Sequence, residues 1–600
     1  MAVRKPRAKR REKRAIFEAT FLAIFSFYDN LWRGRIQAMK KFLARNGEWL
    51  LVFFFAGVIA FGTIFPTWNH NFKILPGRVH LWVGHYWEDY FQYLDEVDQG
   101  ARGKWLVENP MTGEEVPKSF IGWGSLLVGQ IGRIFGFSAI LSYWLVGVLW
   151  FNFVCILLWY LLVRRLFEGE KDLIMPAFVV GLVAEPFYWW VRSGEGIRLY
   201  LLEHWYSTGP VFNRFGTVPH QVLENILLLG SLLLFGLSLK LIMRKQINLR
   251  LWTIMILNGF LLGFDLTLQP GVVLVFFAGM VMVVFLEIIK VFLKKKRWEI
   301  HFLLPVLVMS PFLAAAGFYI LRVFSGSYFL QMKQWEVATA RGLAFSKELT
   351  LEKFFLGLGP MVILAGLGVK SFLKRLEPLR VLGVLVILAG IFLFWLPLGE
   401  RVGLHPMRFI SPVMHVFWGG MAILGMRELA GWGARIWRGR KEVLFGVLFG
   451  IFLVSMAPAW WLDLKGRVEN PNFGADKVVN DLPGEIYQGM MFLRGRGEDE
   501  EVVLTNVGLA INTMLPALAA KRVYVGRSIL TLNVEKKTQE VKSFFGLKMS
   551  KDEAGEFLRE NKIKYVLITV YDGGPKAYQE QYDLGKKIFE NTMVTIFAVR

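Results

Sequence analysis

The sequence predicts a polytopic α-helical membrane protein with a small α/β domain at its C-terminal end. Three observations predict it. Hydrophobic residues are 54% of the 600-residue chain and charged residues 20%, with 52 Phe and 22 Trp. A soluble protein of that composition would expose an apolar surface that aggregates. Apolar runs long enough to cross a bilayer recur through the body of the chain. Beyond position 461 the pattern changes to short strand-like runs alternating with helical ones. A single cysteine, Cys155, excludes a disulfide framework and makes thiolate catalysis or a cysteine metal site untenable. The net charge of +22 comes from Lys and Arg placed between apolar runs. That placement fits anionic lipid as the partner, not nucleic acid.

Residues 1–45 open with a basic run that lacks a signal-peptide cleavage pattern. They are expected to form a cytoplasmic tail, with the FLAIFSFYDNLW stretch lying in the interface as an amphipathic helix. Apolar runs then fall at 48–66, 138–162, 172–190, 221–241, 250–265, 270–291, 301–321, 354–371, 379–397, 409–427 and 443–461. The expectation is about eleven spanning helices within a membrane domain of 46–461. A tight turn is expected between Asp265 and Pro270.

Short basic loops recur on alternate sides, at Arg164-Arg165, Arg244-Lys245, 294–297, Lys374-Arg375 and 438–441. By the positive-inside rule that side is cytoplasmic, in the cell membrane, and it includes the N-terminus. An odd number of spans then puts residues 462–600 outside. The long loops 67–137, 191–220, 322–353 and 398–408 share the outer side. Few ionisable residues interrupt the spans; Glu185 and Glu287 are exceptions near helix ends. Polar material gathered on one face suits an enzyme at the outer interface better than a transporter, which needs polar or broken helices at mid-membrane.

In 462–600, strands are expected at 501–505, 522–525, 563–568 and 594–599, with helices at 536–545 and 550–561. Neither GxGxxG nor a P-loop is present. Gly526 and the Gly573-Gly574 turn are expected to be tight turns rather than phosphate cradles.

The first outer loop carries the most chemistry. It contains Gly84-His85-Tyr86-Trp87-Glu88-Asp89-Tyr90, then Asp95-Glu96-Val97-Asp98. A carboxylate beside the membrane can take the proton of an acceptor hydroxyl while its oxygen attacks an activated sugar carbon. His85, Glu88 and Asp89 could share one face of a helical turn. Glu88 and Asp89 could also hold a divalent cation, magnesium or manganese, through oxygen ligands. Equally, this is a solvated acidic loop with its aromatics at the headgroups.

Together with the helix number and the outer domain, this motif resembles the GT-C superfamily of polytopic glycosyltransferases. The relevant members use polyprenyl-phosphate sugars, as protein mannosyltransferases and aminoarabinose transferases do. Such enzymes carry an acidic motif just after the first span, here His85-Tyr-Trp-Glu88-Asp89-Tyr90, followed by a surface segment for which 120–137 fits. Further strings that resemble this class are Tyr90 to Leu94, Gly103-Lys104-Trp105, Arg522-Val-Tyr-Val-Gly526 and Thr531-Leu-Asn533. The resemblance implies inverting sugar transfer with Asp89 as the catalytic carboxylate and Glu88 beside it. The partners it implies are a polyprenyl-phosphate-linked donor and a glycan, lipid or protein acceptor. Mannose is the sugar many members use. The Glu-Asp order departs from the Asp-Asp or Asp-Glu of the family, and Asp95, Glu96 and Asp98 compete for the role.

The resemblance also implies a basic residue from a late outer loop at the donor phosphate. Loop 398–408 offers Arg401, His405 and Arg408. Arginine grips phosphate in a fork and stays charged. Arg408 is preferred because it is expected to open the helix that follows. His405 would assist or cap the loop. His85, Trp205, Tyr206, His220 and Asp265 are candidates for contact with sugar or acceptor. The competing functions are a multi-pass transporter and a lipid-linked polysaccharide ligase or polymerase.

Overall fold

The computed structural model describes residues 46–193, 196–202, 208–345, 350–396, 401, 403–470, 479 and 481–599. The tail 1–45, with its interfacial helix, and the candidates Trp205 and Tyr206 lie outside them. Two compact units divide after Gly57. The first contributes the start of the helix Asn46–Lys73, and the second holds the rest of the architecture.

Among the described residues eight helices are long and apolar enough to cross a membrane. They are Asn46–Lys73, Ala139–Leu166, Pro219–Met243, Leu249–Leu268, Pro270–Lys295, Ile300–Phe324, Pro378–Trp395 and Lys441–Glu469. Pro219, Pro270 and Pro378 sit in the first helical turn. There the missing N–H has no intrahelical partner to lose and φ is already helical.

Three expected spans turn out differently, so the number is eight, or nine if one bent pair is a single span, rather than eleven. The run 172–190 forms a helix of only 13 residues, Lys171–Val183, before the chain extends. Such a helix reaches about 20 Å, short of a bilayer core. The run 354–371 is broken into Leu351–Gly357 and Pro360–Leu373, bent by 91°. Gly359 sits at the break with φ +60, followed by a proline. The run 409–427 becomes Met414–Trp437. Its first half is buried, but Arg427 and Glu428 interrupt the apolar run. This helix packs at backbone distance: a Cβ on Gly368 would meet Met421 O at 1.9 Å, and one on Gly425 would meet Leu364 O at 1.9 Å. Small residues allow such approaches where lipid offers no hydrophobic drive between helices.

Three of the expected basic loops come together at one end of the bundle, those near Arg165, Arg244 and Arg375. Lys240 bonds Glu168 at 2.7 Å, and Arg380 donates to Leu166 O at 2.9 Å. At the other end the long loops meet the C-terminal domain. Tyr319 Oη accepts from Phe120 N at 2.6 Å, Asn109 donates to Leu530 O at 2.9 Å, and Gln331 donates to Thr531 O at 3.0 Å.

Nine strands among the described residues complete the fold. The first, β1 (Arg78–His80), lies in the first loop; β2 (Tyr188–Ser193) and β3 (Gly196–Leu201) form a hairpin. The last apolar helix continues to Glu469, past the expected boundary at 461. Then β4 (Asp481–Pro483) pairs antiparallel with β1. A five-stranded sheet follows, built from β5 (Val502–Leu504), β6 (Arg522–Val523), β7 (Ile563–Thr569), β8 (Lys586–Glu590) and β9 (Val594–Ala598). Its order is β6-β5-β7-β9-β8. The first three are parallel, and β9 and β8 run antiparallel at the edge. Helices Val534–Phe545 and Lys551–Glu560 cover the sheet with Val541, Phe544, Phe557 and Leu558.

The loop helix Trp87–Ala101 is the element that positions the acidic pair. It buries Tyr90, Phe91, Leu94 and Val97. It crosses the surface helix Trp123–Ile134 in backbone contact, since a Cβ on Gly100 would meet Leu126 O at 2.2 Å and one on Gly129 would meet Val97 O at 2.0 Å. Its acids are buried too. Asp98 pairs with Arg102 at 2.9 Å and with Arg494 at 2.5 Å. Asp95 accepts from Gln99 at 2.8 Å, and burial holds its carboxyl well above the usual range. Glu96 accepts from Gln92 at 3.2 Å, and burial pushes it up to about 7.

Two outcomes follow from this packing. Gly129→Val should lower the melting temperature of purified protein, a loss of about 1–3 kcal/mol from overpacking. Gly450→Ala, which meets nothing within 4 Å, should leave it unchanged or slightly raised. Glu96 binds its proton more tightly when folded, so its contribution is full below the unfolded value near 4.5 and is lost as pH rises to about 7. Glu96→Gln should therefore gain stability relative to the wild type at pH 8 compared with pH 4.5, by up to about 3 kcal/mol. Thermal melts across that range measure it.

Candidate functional site

Glu88 and Asp89 occupy the first turn of the loop helix, where carboxylates complement the helix dipole. Their side chains are 24% and 33% exposed. Arg527 reaches them from the C-terminal domain. Its Nη2 pairs with Asp89 Oδ1, its Nε lies 3.7 Å from Glu88 Oε2, and its Nη1 bonds Gln92 Oε1. The Arg527 side chain is only 6% exposed. A cavity of about 370 Å³ opens beside this cluster, lined by Trp87, Glu88, Asn512, Thr513, Gly526 and Ser528 among others.

His85 does not join the helical face expected for it. The helix starts two residues later, because Tyr86 has extended ψ. The His85 ring turns inward instead, its Nε2 2.7 Å from Tyr143 Oη, which itself donates to Thr217 O at 2.9 Å. Burial pushes His85 down to about 4, so the ring is neutral at physiological pH. The rings of Tyr93 and His85 lie 6.1 Å apart, and Tyr93 meets His220 edge to face at 4.6 Å. His220 is within electrostatic reach of both His85 and Arg408. The acidic pair, two histidines and Arg408 thus belong to one neighbourhood.

Arg408 lies in the short turn Pro406–Phe409, ahead of the helix that begins at Met414. It does not open that helix as expected, because Pro412 delays the helix start. Its Nε donates to Glu336 at 2.8 Å. His405 caps this turn through Nδ1, which accepts from Met407 N at 3.2 Å, and burial pushes the ring down to about 4. Arg401 is exposed.

Asp265 is not in a hairpin turn. The helix Leu249–Leu268 continues through it and stops at Gln269, before Pro270. The side chain is fully buried, and neither carboxylate oxygen has a hydrogen-bond partner among the described residues. Its electrostatic neighbour is Glu224, one turn beyond His220 and also buried.

Arg527, Glu336 and Glu224 are the residues that sequence reasoning passed over. Glu224 alone carried a local signal, as an acid inside an apolar run. Arg527 follows the Arg522-to-Gly526 string, but nothing local announces its partner.

A divalent cation at Glu88 and Asp89 meets a competing group. The guanidinium of Arg527 already lies against both carboxylates and supplies the positive charge. The pair as built does not fit a cation. Elsewhere, His70, His80 and Asp481 bring one ligand atom each to within 4.8 Å of one another.

No protein-family model and no curated protein matches the chain. Solved structures do. The archaeal oligosaccharyltransferase AglB from Archaeoglobus fulgidus, in complex with an inhibitory peptide and a dolichol-phosphate, is 12% identical with a TM-score of 0.52. That match covers 89% of this chain and 71% of AglB. The apo form of the Archaeoglobus fulgidus enzyme gives 12% identity and a TM-score of 0.52, over 87% of this chain and 69% of that one. At this identity the likeness concerns the fold. The chain shares the overall fold of this archaeal oligosaccharyltransferase and, among the described residues, has eight or nine candidate spans and a small β-rich C-terminal domain.

Proposed function

We propose that this protein is an inverting glycosyltransferase that moves a sugar from a polyprenyl-phosphate-linked donor to an acceptor on the outer face of the membrane. The observation that carries the reading is the partly exposed Asp89, fixed by Arg527 at the head of a packed loop helix. The GT-C-type fold supports it, as does the dolichol-phosphate bound by AglB. The acceptor is a glycan, lipid or protein of the cell envelope.

In this reading Asp89 Oδ1 stays paired with Arg527 and Oδ2 takes the acceptor's proton. The acceptor oxygen forms its bond to the anomeric carbon from the face opposite the phosphate. The bond from that carbon to the phosphate oxygen breaks, and its electron pair leaves with the lipid phosphate. A phosphate leaves without strong acid help, so one base suffices, unlike hydrolases that place carboxyls on both sides of the bond. Arg408 holds the leaving phosphate by charge-assisted hydrogen bonds. Glu336 keeps its guanidinium oriented until the donor binds. The cavity beside Glu88 and Trp87 offers the acceptor an apolar wall with hydroxyl and amide groups from Thr513, Ser528 and Asn512. His85 and His220 lie between the two charged ends. Trp205, Tyr206 and Arg401 remain candidates for substrate contact. A transport reading would instead rest on the buried acids Glu224 and Asp265.

Two measurements test the roles. With radiolabelled lipid-phosphate sugar as donor, Asp89→Asn should reduce transfer by about 10²–10⁴-fold in protein that still elutes as a folded species. Near-normal transfer would remove Asp89 as the base. Arg408→Ala should raise the donor KM by about tenfold or more, with Arg408→Lys intermediate, because lysine keeps the charge but loses the fork. An unchanged donor dependence in both variants would move the phosphate contact elsewhere.

A further inference from the structure

A second chemical cluster lies where the first loop meets the start of the C-terminal domain. His80 ends β1 and stands directly opposite Asp481, the first residue of β4. Arg78 Nη1 donates to Asp481 O at 2.8 Å and locks that register. His70 comes from the end of the first apolar helix. Its Nε2 lies 2.9 Å and 3.1 Å from the two oxygens of Asp481, and His80 Nδ1 lies 3.3 Å from Oδ1. The two imidazole rings are 5.0 Å apart. Three separate segments thus aim two nitrogens and a carboxylate at one point.

The hydrogen bonds of His80 leave a problem that a cation solves. Its Nε2 faces the carbonyl of Thr67 at 3.2 Å, and a carbonyl only accepts, so Nε2 carries the proton. In the neutral ring Nδ1 is then a bare lone pair, and it points at a carboxylate oxygen, another acceptor. Something positive must lie between them. A second ring proton would make this contact an ion pair. A metal ion would serve as well and would use the existing tautomer. A metal-bound histidine commonly donates its other N–H to a backbone carbonyl, as His80 does to Thr67.

The three ligand atoms lie within 4.8 Å of one another, within reach of a small tetrahedral ion. Bonds of about 2.0–2.2 Å to nitrogen and oxygen put neighbouring ligand atoms roughly 3.3 Å apart. The observed separations of 2.9–3.3 Å from Asp481 need only slight opening. The His70 and Asp481 side chains are 22% and 15% exposed, which leaves a side open for a water as fourth ligand. Two imidazoles and one carboxylate favour a borderline ion such as zinc over magnesium or calcium, which prefer all-oxygen shells.

We propose that His70, His80 and Asp481 form a zinc site that ties the end of the first apolar helix to the beginning of the C-terminal domain. The site is distinct from the acidic pair and takes no part in sugar transfer as derived above. Its effect is positional. His80 lies just upstream of the loop helix that bears Asp89, and Asp481 opens the segment that carries Arg527. A metal joining them fixes how the two halves of the Arg527–Asp89 pair meet.

The test uses full-length protein purified in detergent without chelator. Metal analysis should find about one zinc per chain in the wild type, and less than about a tenth of that in His80→Ala and Asp481→Ala. His70→Gln, at the more exposed ligand, should fold normally by size exclusion yet bind zinc weakly, which separates metal loss from misfolding. Asp89→Asn should keep its zinc. Removing zinc with a strong chelator should lower the melting temperature of the wild type, and adding zinc back should restore it, with neither change in His70→Gln. Substoichiometric zinc in the wild type, together with no thermal shift on titrating zinc into stripped protein, would overturn the proposal. So would zinc lost from Asp89→Asn or retained at wild-type level in the His80 and Asp481 variants.

Discussion

The contact between the Arg527 guanidinium and the carboxylates of Asp89 and Glu88 is the constraint from which the rest of the site follows. Arg527 is almost fully buried, and a buried guanidinium costs several kcal/mol unless it is paired. The acids at the head of the loop helix provide the pairing. The arginine in turn holds Asp89 in one geometry and draws the C-terminal domain onto the loop. Arg494 repeats the arrangement farther along the same helix, through Asp98. Two cations from one domain thus close on an acidic helix from the other. Removing either side would leave the remaining charge stranded in a poorly solvated place, so the pairing dictates docking even if its net contribution to stability is small.

The loop helix can serve as a rigid mount because both of its faces are filled. One face meets the surface helix at backbone distance through Gly100 and Gly129. Its aromatic residues fill the space below, with Tyr90 bonded to Leu81 O at 2.8 Å. Its buried acids Asp95 and Glu96 rely on nearby amides rather than on water. A catalytic carboxylate on a floppy loop would lose the orientation that makes proton transfer effective. Here the neutral His85, pinned to Tyr143, holds the approach to the helix while adding no charge near Asp89.

What the sequence revealed depended on how local the signal was. The helices that begin with Pro219, Pro270 and Pro378 were legible because proline and apolar length are both local. So was the helix after Ser550, whose side chain caps Glu553 N while Glu553 caps back. The strand at Ile563–Thr569 stood out as an apolar run broken only by the exposed Lys564, as a strand buried mostly on both faces does. The failures were tertiary. Residues 172–190 are apolar enough to span, yet the helix stops at Val183 and the chain turns into a hairpin. Asp265 beside Pro270 reads as a turn, but the proline starts the next helix and leaves the acid inside the previous one. At the candidate site Glu88 and Asp89 were legible from the loop motif. Arg527 and Glu336 were not, because each pairs with a residue far away in sequence, and no periodicity reports on such a partner.

The central claim is that the sugar comes from a lipid phosphate and is transferred at Asp89. The most direct measurement offers purified protein in lipid a panel of radiolabelled polyprenyl-phosphate sugars and, separately, nucleotide sugars, with extracted cell-envelope glycans, lipids and proteins as acceptors. The account predicts labelled product from at least one lipid-linked donor, with inverted anomeric configuration, and none from any nucleotide sugar. Product from a nucleotide sugar, with none from any lipid-linked donor, would contradict it.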